Sequence, residues 1–356
     1  MADSILIFTG DEQLLDRLLR LCAAVGAEPD VVRDTTPPPG PWQRAPLVLL
    51  GDDRALARTD PARWPGRRPG VVLVGRDLDD HTVWERGLTL GAEQVVHLPG
   101  DEPWLVERLA EVTDPGRPAL TVGVLGGRGG AGASTLACAL AVTAARRGTR
   151  TTLLDCDSLG GGLDVLLGSE TATGPRWPAL VSASGRLSGR ALDESLPRAH
   201  GVRLLSWDRA DATPLPGEAM RSVLAAARRG GGLVVLDLPR AVDEAVAVAL
   251  AHLDLGLLVV PGELRALVAA RRVVATAGSR VRDLRVVARP PAARGLTADE
   301  LGELLGLPLA GELPDEPGLT AAAERGDPPG AYPRGVLARF CETLLSHTAT
   351  DAEVPA

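Results

Sequence analysis

Lysine is absent from this chain: all 38 basic residues among its 356 are arginine. Any chemistry that needs a compact ammonium group is therefore excluded, and only guanidinium groups supply fixed positive charge. Aromatic residues make up only 3% of the chain, so aliphatic side chains and alanine must build the cores. The four cysteines (Cys22, Cys138, Cys156, Cys341) show no C-x-x-C pairing and no histidine at metal-binding spacing, which reads as reduced core thiols. No apolar run approaches the roughly 20 residues that a membrane-spanning helix requires. The early "SILIF" is strand-like and too short for a signal peptide, so a cytoplasmic or peripheral protein is expected.

What is present falls into two halves with different charge. Residues 1–114 hold 12 Arg against 20 Asp and Glu, whereas residues 115–356 hold 26 of each. That balance argues against a general nucleic-acid coat, and Arg146, Arg147, Arg150, Arg228 and Arg229 read as solvated helix ends. In the first half, short apolar runs at 5–8, 29–32, 47–50, 71–74 and 94–98 alternate with helix-like stretches. The best of these, 11–26, places Leu14, Leu15, Leu18, Leu19 and Cys22 on one face and stops at Gly26. Strands alternating with helices predict a parallel sheet covered on both faces. The Pro-rich segment 34–46 predicts a loop that replaces or shortens a helix, and "TDPGRP" at 113–118 marks a boundary.

The second half opens with "ALTVGVLGGRGGAGASTLACALAVTAARRG" (119–148), which reads as strand, Gly-rich loop and helix. The pattern G-x-x-x-x-G-K-[ST] fits at Gly127, Gly132 and Ser134, but Ala133 stands at the lysine position. Successive backbone N–H groups and a helix N-terminus would still favour an anion. A following strand ends with Asp155 and Asp157, which strand alternation would point the same way, and "GGLVVLDLPR" (231–240) ends with Asp237. Carboxylates at the carboxyl ends of neighbouring parallel strands stand where open α/β sheets bind ligands.

The first half resembles a response-regulator receiver (a flavodoxin-like, CheY-like domain). Its phosphorylatable aspartate falls on Gly51, its switch residue on Gly75 and its lysine on Leu98, while Asp11 and Glu12 occupy the acidic metal positions and Asp52 is one residue out of register. A folded pseudo-receiver without phosphotransfer is expected over 1–114. Residues 119–346 resemble the MinD/ParA superfamily of deviant Walker A P-loop NTPases, in particular the CpaE/TadZ-like and septum-site-determining proteins with an atypical receiver ahead of the ATPase domain. The fold class implied is α/β, a receiver-like domain, a linker at 115–118, a MinD/ParA-like domain with a mostly parallel sheet, and a flexible tail at 347–356.

That resemblance implies ATP and Mg²⁺ as ligands. It implies nucleotide contacts from Gly127, Arg128, Gly129, Gly130, Ala131, Gly132, Ala133, Ser134, Thr135 and Asp155, metal contacts from Ser134, Asp157 and Asp237, and catalytic roles for Asp157 and Arg128. The first lysine of the family's loop aligns with Arg128, which would reach the phosphates of a partner across a nucleotide-sandwiched dimer. No carboxylate lies within the loop itself to pair with it. The family's base-contacting Asn-Arg pair falls on Ala288 and Arg289, and the closing helix at 334–345 lacks a basic, bulky apolar membrane-binding face. The expected function is a spatial regulator of septum-site determination or pilus/secretion-system localisation. It would bind nucleotide and hydrolyse it weakly or not at all, form a homodimer through the nucleotide face, and contact division or secretion proteins. Its expected place is the cytoplasm, peripheral through partners at the inner face of the plasma membrane, with no specific nucleic acid. An active ATPase relying on Arg128, and a scaffold that binds no nucleotide, are the alternatives.

Overall fold

The computed structural model describes residues 4–34, 36–37, 39–56, 68–75, 82–113, 118–182, 189–209, 214–290, 295–313 and 315–351. The chain separates into two compact units, Met1–Gly116 and Arg117–Ala356. Most of the expected linker, and residues 352–356 of the expected tail, lie outside the described residues.

The first unit runs β1 (Leu6–Phe8), α1 (Glu12–Ala24), β2 (Asp30–Val32), α2 (Pro39–Arg44), β3 (Val48–Gly51), α3 (Asp52–Leu56), β4 (Val71–Gly75), α4 (Thr82–Leu90), β5 (Gln94–His97) and α5 (Glu102–Thr113). All strand pairs are parallel, in the order β2-β1-β3-β4-β5. That is the flavodoxin-like order. Each of the five apolar runs is a strand. The Pro-rich segment is the shortened helix α2, pinned by the buried Trp42. In α1, Leu14, Leu15, Leu18 and Cys22 are buried, while Leu19 at the edge of the stripe is exposed.

The second unit runs β6 (Leu120–Gly126), α6 (Ala133–Arg146), β7 (Thr151–Asp155), α7 (Leu163–Leu166), α8 (Trp177–Ser182), α9 (Gly189–Ser195), β8 (Arg198–Ala199), β9 (Val202–Leu205), α10 (Gly217–Arg229), β10 (Leu233–Leu238), α11 (Glu244–Ala251), β11 (Leu255–Pro261), α12 (Leu264–Ala277), β12 (Leu284–Arg289), α13 (Ala298–Leu305), β13 (Leu309–Glu312), α14 (Leu319–Glu324) and α15 (Val336–Asp351). Its eight-stranded sheet has the order β13-β12-β11-β6-β10-β7-β9-β8, parallel except for the β8–β9 pair. Strands β6, β10 and β11 are central and buried almost throughout, which is why they read as continuous apolar runs rather than alternating ones. Helix α6 buries nine residues, mostly alanine and other small groups, and so lies close against the sheet. The closing helix α15 extends five residues into the stretch expected as a tail. Arg146, Arg150 and Arg228 pair with Glu342, Asp193 and Asp254, which uses much of the local basic charge within the fold.

Candidate functional site

The strand order of the sheet places β6 between β10 and β11, so the connection after β6 departs from the centre of the sheet at its carboxyl edge. There the loop 127–132 is tied down at once: the Gly127 N–H donates to the Val259 carbonyl at 2.8 Å. A Cβ on Gly127 would lie 3.0 Å from Ala270 Cβ and 3.1 Å from Val260 Cγ2, so glycine lets the loop approach β11 and α12. Gly130 and Gly132 have φ of +70° and +98°, the left-handed region that glycine enters without penalty. Gly132 is the N-cap of α6 and supplies no side-chain cap. The first intrahelical bond runs from Leu136 N–H to the Gly132 carbonyl, so the N–H groups of Gly132, Ala133, Ser134 and Thr135 have no helical acceptor. This half-buried row of donors at a helix N-terminus suits a phosphate group. Ala131 is buried beneath the loop, and Ala133 packs against the apolar cluster behind the sheet.

Three carboxylates stand beside these donors. Asp237 on β10 is 4% exposed and lies beside the Ser134 hydroxyl, which favours its charged form. Burial raises its pKa to about 7, Ser134 opposes that rise, and the charges of Asp155 and Asp157 add to it. Asp155 ends β7 and is 2% exposed. It accepts from Ser206 Oγ at 2.7 Å, from Leu163 N at 3.0 Å and from Asp157 N at 3.3 Å, and burial raises its pKa as well. The Trp177 indole N–H donates to the Asp155 carbonyl at 2.6 Å, fixing the strand end. Asp155 is thus committed to holding the 157–163 loop.

Asp157 lies beyond the strand and is half-buried. Its Oδ1 accepts from Leu159 N at 3.1 Å, shaping a turn that leads into Gly160, Gly161 and Gly162. The alternation expected for Asp155 and Asp157 does not apply, because β7 stops at Asp155 and only the second carboxylate is accessible. Among the described residues no group of three His, Cys, Asp or Glu side chains is placed to hold a metal directly. Mg²⁺ at such a loop is held by a hydroxyl, phosphate oxygens and water, and Ser134 with Asp237 behind it fits that donor set.

Arginines surround the loop on three sides. Arg128 donates through Nη1 to the Gly129 carbonyl at 2.9 Å and pairs through Nη2 with Glu263 Oε1 at 3.1 Å. The loop does lack a carboxylate of its own, but the β11–α12 junction supplies one, so Arg128 is paired within a single chain. Arg289 donates to the Ala131 carbonyl at 3.2 Å and pairs with Asp315, while Ala288 is buried. Arg289 is therefore turned onto the loop instead of standing free for a base. Arg240, three residues after Asp237, is exposed, and its Nη2 lies 3.9 Å from the position of a Cβ on Gly129.

The corresponding edge of the first unit is closed. A Cβ on Gly51 would lie 2.3 Å from Asp53 Oδ1 and 2.5 Å from Thr9 Oγ1. Asp53 fills that space, accepting from Thr9 Oγ1 at 2.6 Å and Gly10 N at 2.8 Å. Asp52 is held by Arg86 Nε and Nη2 at 3.0 and 2.7 Å. Asp11 caps α1 through Gln13 N and Leu14 N, Glu12 is exposed, and Leu98 is buried at the lysine position. Sequence reading missed Asp53, Thr9, Ser206, Trp177 and Glu263 as partners, since each comes from a distant segment with no motif of its own.

Residues 122–329 match the family described as the CobQ/CobB/MinD/ParA nucleotide binding domain, and residues 8–119 match the Rv3660c-like, CheY-like N-terminal domain. The chain is 38% identical over 331 residues to the uncharacterized protein Rv3660c of Mycobacterium tuberculosis, an alignment spanning 89% of this chain and 90% of that protein. Among solved structures it resembles a ParA family ATPase from Chlorobium tepidum, with a TM-score of 0.57, 17% identity, and coverage of 65% of this chain and 99% of the other. The septum site-determining protein MinD from Pyrococcus horikoshii, complexed with Mg-ADP, gives a TM-score of 0.52 and 15% identity over 67% of this chain and 99% of that one. At these identities the structural likenesses establish the fold alone.

Proposed function

The chain belongs to the CobQ/CobB/MinD/ParA nucleotide binding domain family, and from that premise we propose that it is a MinD/CpaE-like spatial regulator that binds ATP with Mg²⁺ and hydrolyses it slowly. The observation that carries the binding half is the uncapped N-terminus of α6, with Ser134 in its first turn beside the buried Asp237. The N–H groups of residues 132–135 would hold phosphate oxygens, with the helix dipole adding favourable potential. Ser134, with Asp237 beside it, would hold the Mg²⁺. Mg²⁺ supplies neutralisation of phosphate charge when bound. Asp157, half-buried at the end of its turn, would orient an attacking water. Slow hydrolysis follows from Ala133, because a lost preorganised charge contact costs about 2.7–4 kcal/mol in the transition state.

The regulatory half is supported by the family and by the MinD protein of Pyrococcus horikoshii that shares the fold. In this reading the ATPase domain dimerises through its nucleotide face, and the receiver-like unit, which carries the whole net charge of −8, offers a surface to division or secretion proteins. No helix among the described residues is long and apolar enough to cross a membrane, so placement at the inner face of the plasma membrane would come through partners. Calorimetric titration with ATP, with and without Mg²⁺, tests the binding half; Mg²⁺-dependent saturation is expected, and no heat under either condition would favour a scaffold that binds no nucleotide. Fluorescent fusions should form foci or bands at poles or septa, and a diffuse signal would remove the regulatory half.

A further inference from the structure

Three guanidinium groups from three different elements border residues 129–132, and their pairing separates them. Arg128 is paired with Glu263 and Arg289 with Asp315. Arg240, among the described residues, has no hydrogen bond or ion pair, yet its Nη2 lies 3.9 Å from where a Cβ on Gly129 would stand. An unpaired, exposed arginine normally extends into solvent. This one lies over a loop that has lost its own cation at Ala133.

Its position along the loop indicates which phosphate it would meet. Backbone N–H groups of a phosphate loop take the α- and β-phosphates, and a lysine reaches the β- and γ-phosphates. The terminal phosphate projects past the backbone cradle toward the strand end that carries the Walker B aspartate, here Asp237 on β10. Arg240 leaves that same strand end, three residues later, and comes to the loop at Gly129, three residues ahead of the N-cap Gly132. A guanidinium fork is always charged and matches two phosphate oxygens at once. No carboxylate has to be displaced before Arg240 can bind.

Resting on the nucleotide-binding reading above, we propose that Arg240 is the terminal-phosphate contact of this site, taking over in cis the position that Ala133 cannot fill. It thereby sets the preference for a nucleoside triphosphate over a diphosphate. A diphosphate held by the same backbone donors would not extend to Arg240. The assignment separates the two nucleotides, which a merely structural role would not do.

The test is titration of the full chain with Mg·ATP and Mg·ADP, for the wild type, Arg240→Ala and Arg240→Gln. The side chain is exposed, so both variants should melt at the wild-type temperature. Loss of one charge-assisted contact predicts Mg·ATP binding weaker by about ten-fold or more, with Mg·ADP changed by less than about two-fold. Equal weakening for both nucleotides, or no weakening for either, overturns the assignment while leaving nucleotide binding intact. A wild-type chain that binds neither nucleotide overturns the nucleotide-binding reading itself, and this assignment with it.

Discussion

The two units of this chain end their parallel sheets in opposite conditions. In the first, the aspartates described at the carboxyl edge have partners: Asp53 with Thr9 and Gly10, Asp52 with Arg86, and Asp11 with the first turn of α1. In the second, the N-terminus of α6 has no side-chain cap and the buried Asp237 has only the Ser134 hydroxyl. Closing the first edge stabilises a folded surface module. Leaving donors and a buried carboxylate without full compensation costs stability, which a phosphate and a cation would restore. The two parallel sheets thus differ at their carboxyl edges: the first is filled around Gly51, and the second presents the uncapped N-terminus of α6 beside buried Asp237.

The largest test of that contrast is Asp237→Asn. Burial raises the Asp237 pKa from 3.8 to about 7. Between those values the folded chain holds a proton that the unfolded chain releases, so unfolding free energy falls as pH rises and levels off above about 7. The neutral amide removes that loss, and the variant should be more stable than wild type at pH 8, on the order of 4 kcal/mol without Mg²⁺. At pH 4 the two should nearly coincide. Chemical denaturation in chelator, followed by the fluorescence of the buried Trp177 and Trp207, reads this directly. An Asn variant whose advantage over the wild type is no larger at pH 8 than at pH 4 would show that burial does not penalise the Asp237 charge in the free protein.

The opposite edge should respond to Gly51→Asp in the reverse sense. Restoring the receiver's aspartate drives a side chain into Asp53 and Thr9, whose atoms stand 2.3–2.7 Å from the new Cβ. Overpacking of this kind costs about 1–3 kcal/mol, here alongside a second carboxylate. A lower melting temperature and no phosphoryl adduct from acetyl phosphate are expected, in the variant and the wild type alike. A stable adduct within residues 1–116 would show that the edge is open after all.

Ala133→Lys sharpens the comparison from the side of the open edge. The residue is half-buried and its Cβ borders Gly126, so a lysine stem can leave along the loop. A charge-assisted contact to the terminal phosphates should tighten Mg·ATP binding by about ten-fold. It should do so most clearly in an Arg240→Ala background, where no second cation competes. Unchanged affinity in both backgrounds would mean that backbone donors alone set the binding.

Much of this was legible in the sequence because the informative features are local. Each strand of the first unit is a short apolar run with turn residues beside it, and a phosphate loop is a contiguous string between a strand and a helix. Asp155, Asp157 and Asp237 could be placed by their strand ends. Their division of labour could not, because it depends on Ser206 and Trp177, some 20 to 50 residues away, which saturate one carboxylate and leave the next accessible. The same limit hid the closed receiver edge. Gly51 announces a missing nucleophile, but only the fold brings Asp53 and Thr9 into the space that it leaves. Alternation failed at Asp157 for a plain reason: the strand ends two residues earlier, and period two applies only within a strand.

The smallest expected effect concerns Arg128, for which no partner was visible in its own loop. The structure pairs it with Glu263, half-exposed at the β11–α12 junction, at 3.1 Å. Exposed pairs of this kind contribute about 0–1 kcal/mol, so the contact restrains Arg128 without locking it. If Arg128 crosses to a partner's phosphates, that pair must first open, and Glu263→Gln should favour the dimer by no more than about five-fold. The effect should appear only with Mg·ATP present and diminish with added salt, which already weakens the wild-type pair. Sedimentation velocity across a concentration series measures it. A Glu263→Gln chain that dimerises equally with and without nucleotide would mean that the substitution exposes an unrelated contact. A chain that never dimerises, in either form, would remove Arg128 from any role across an interface.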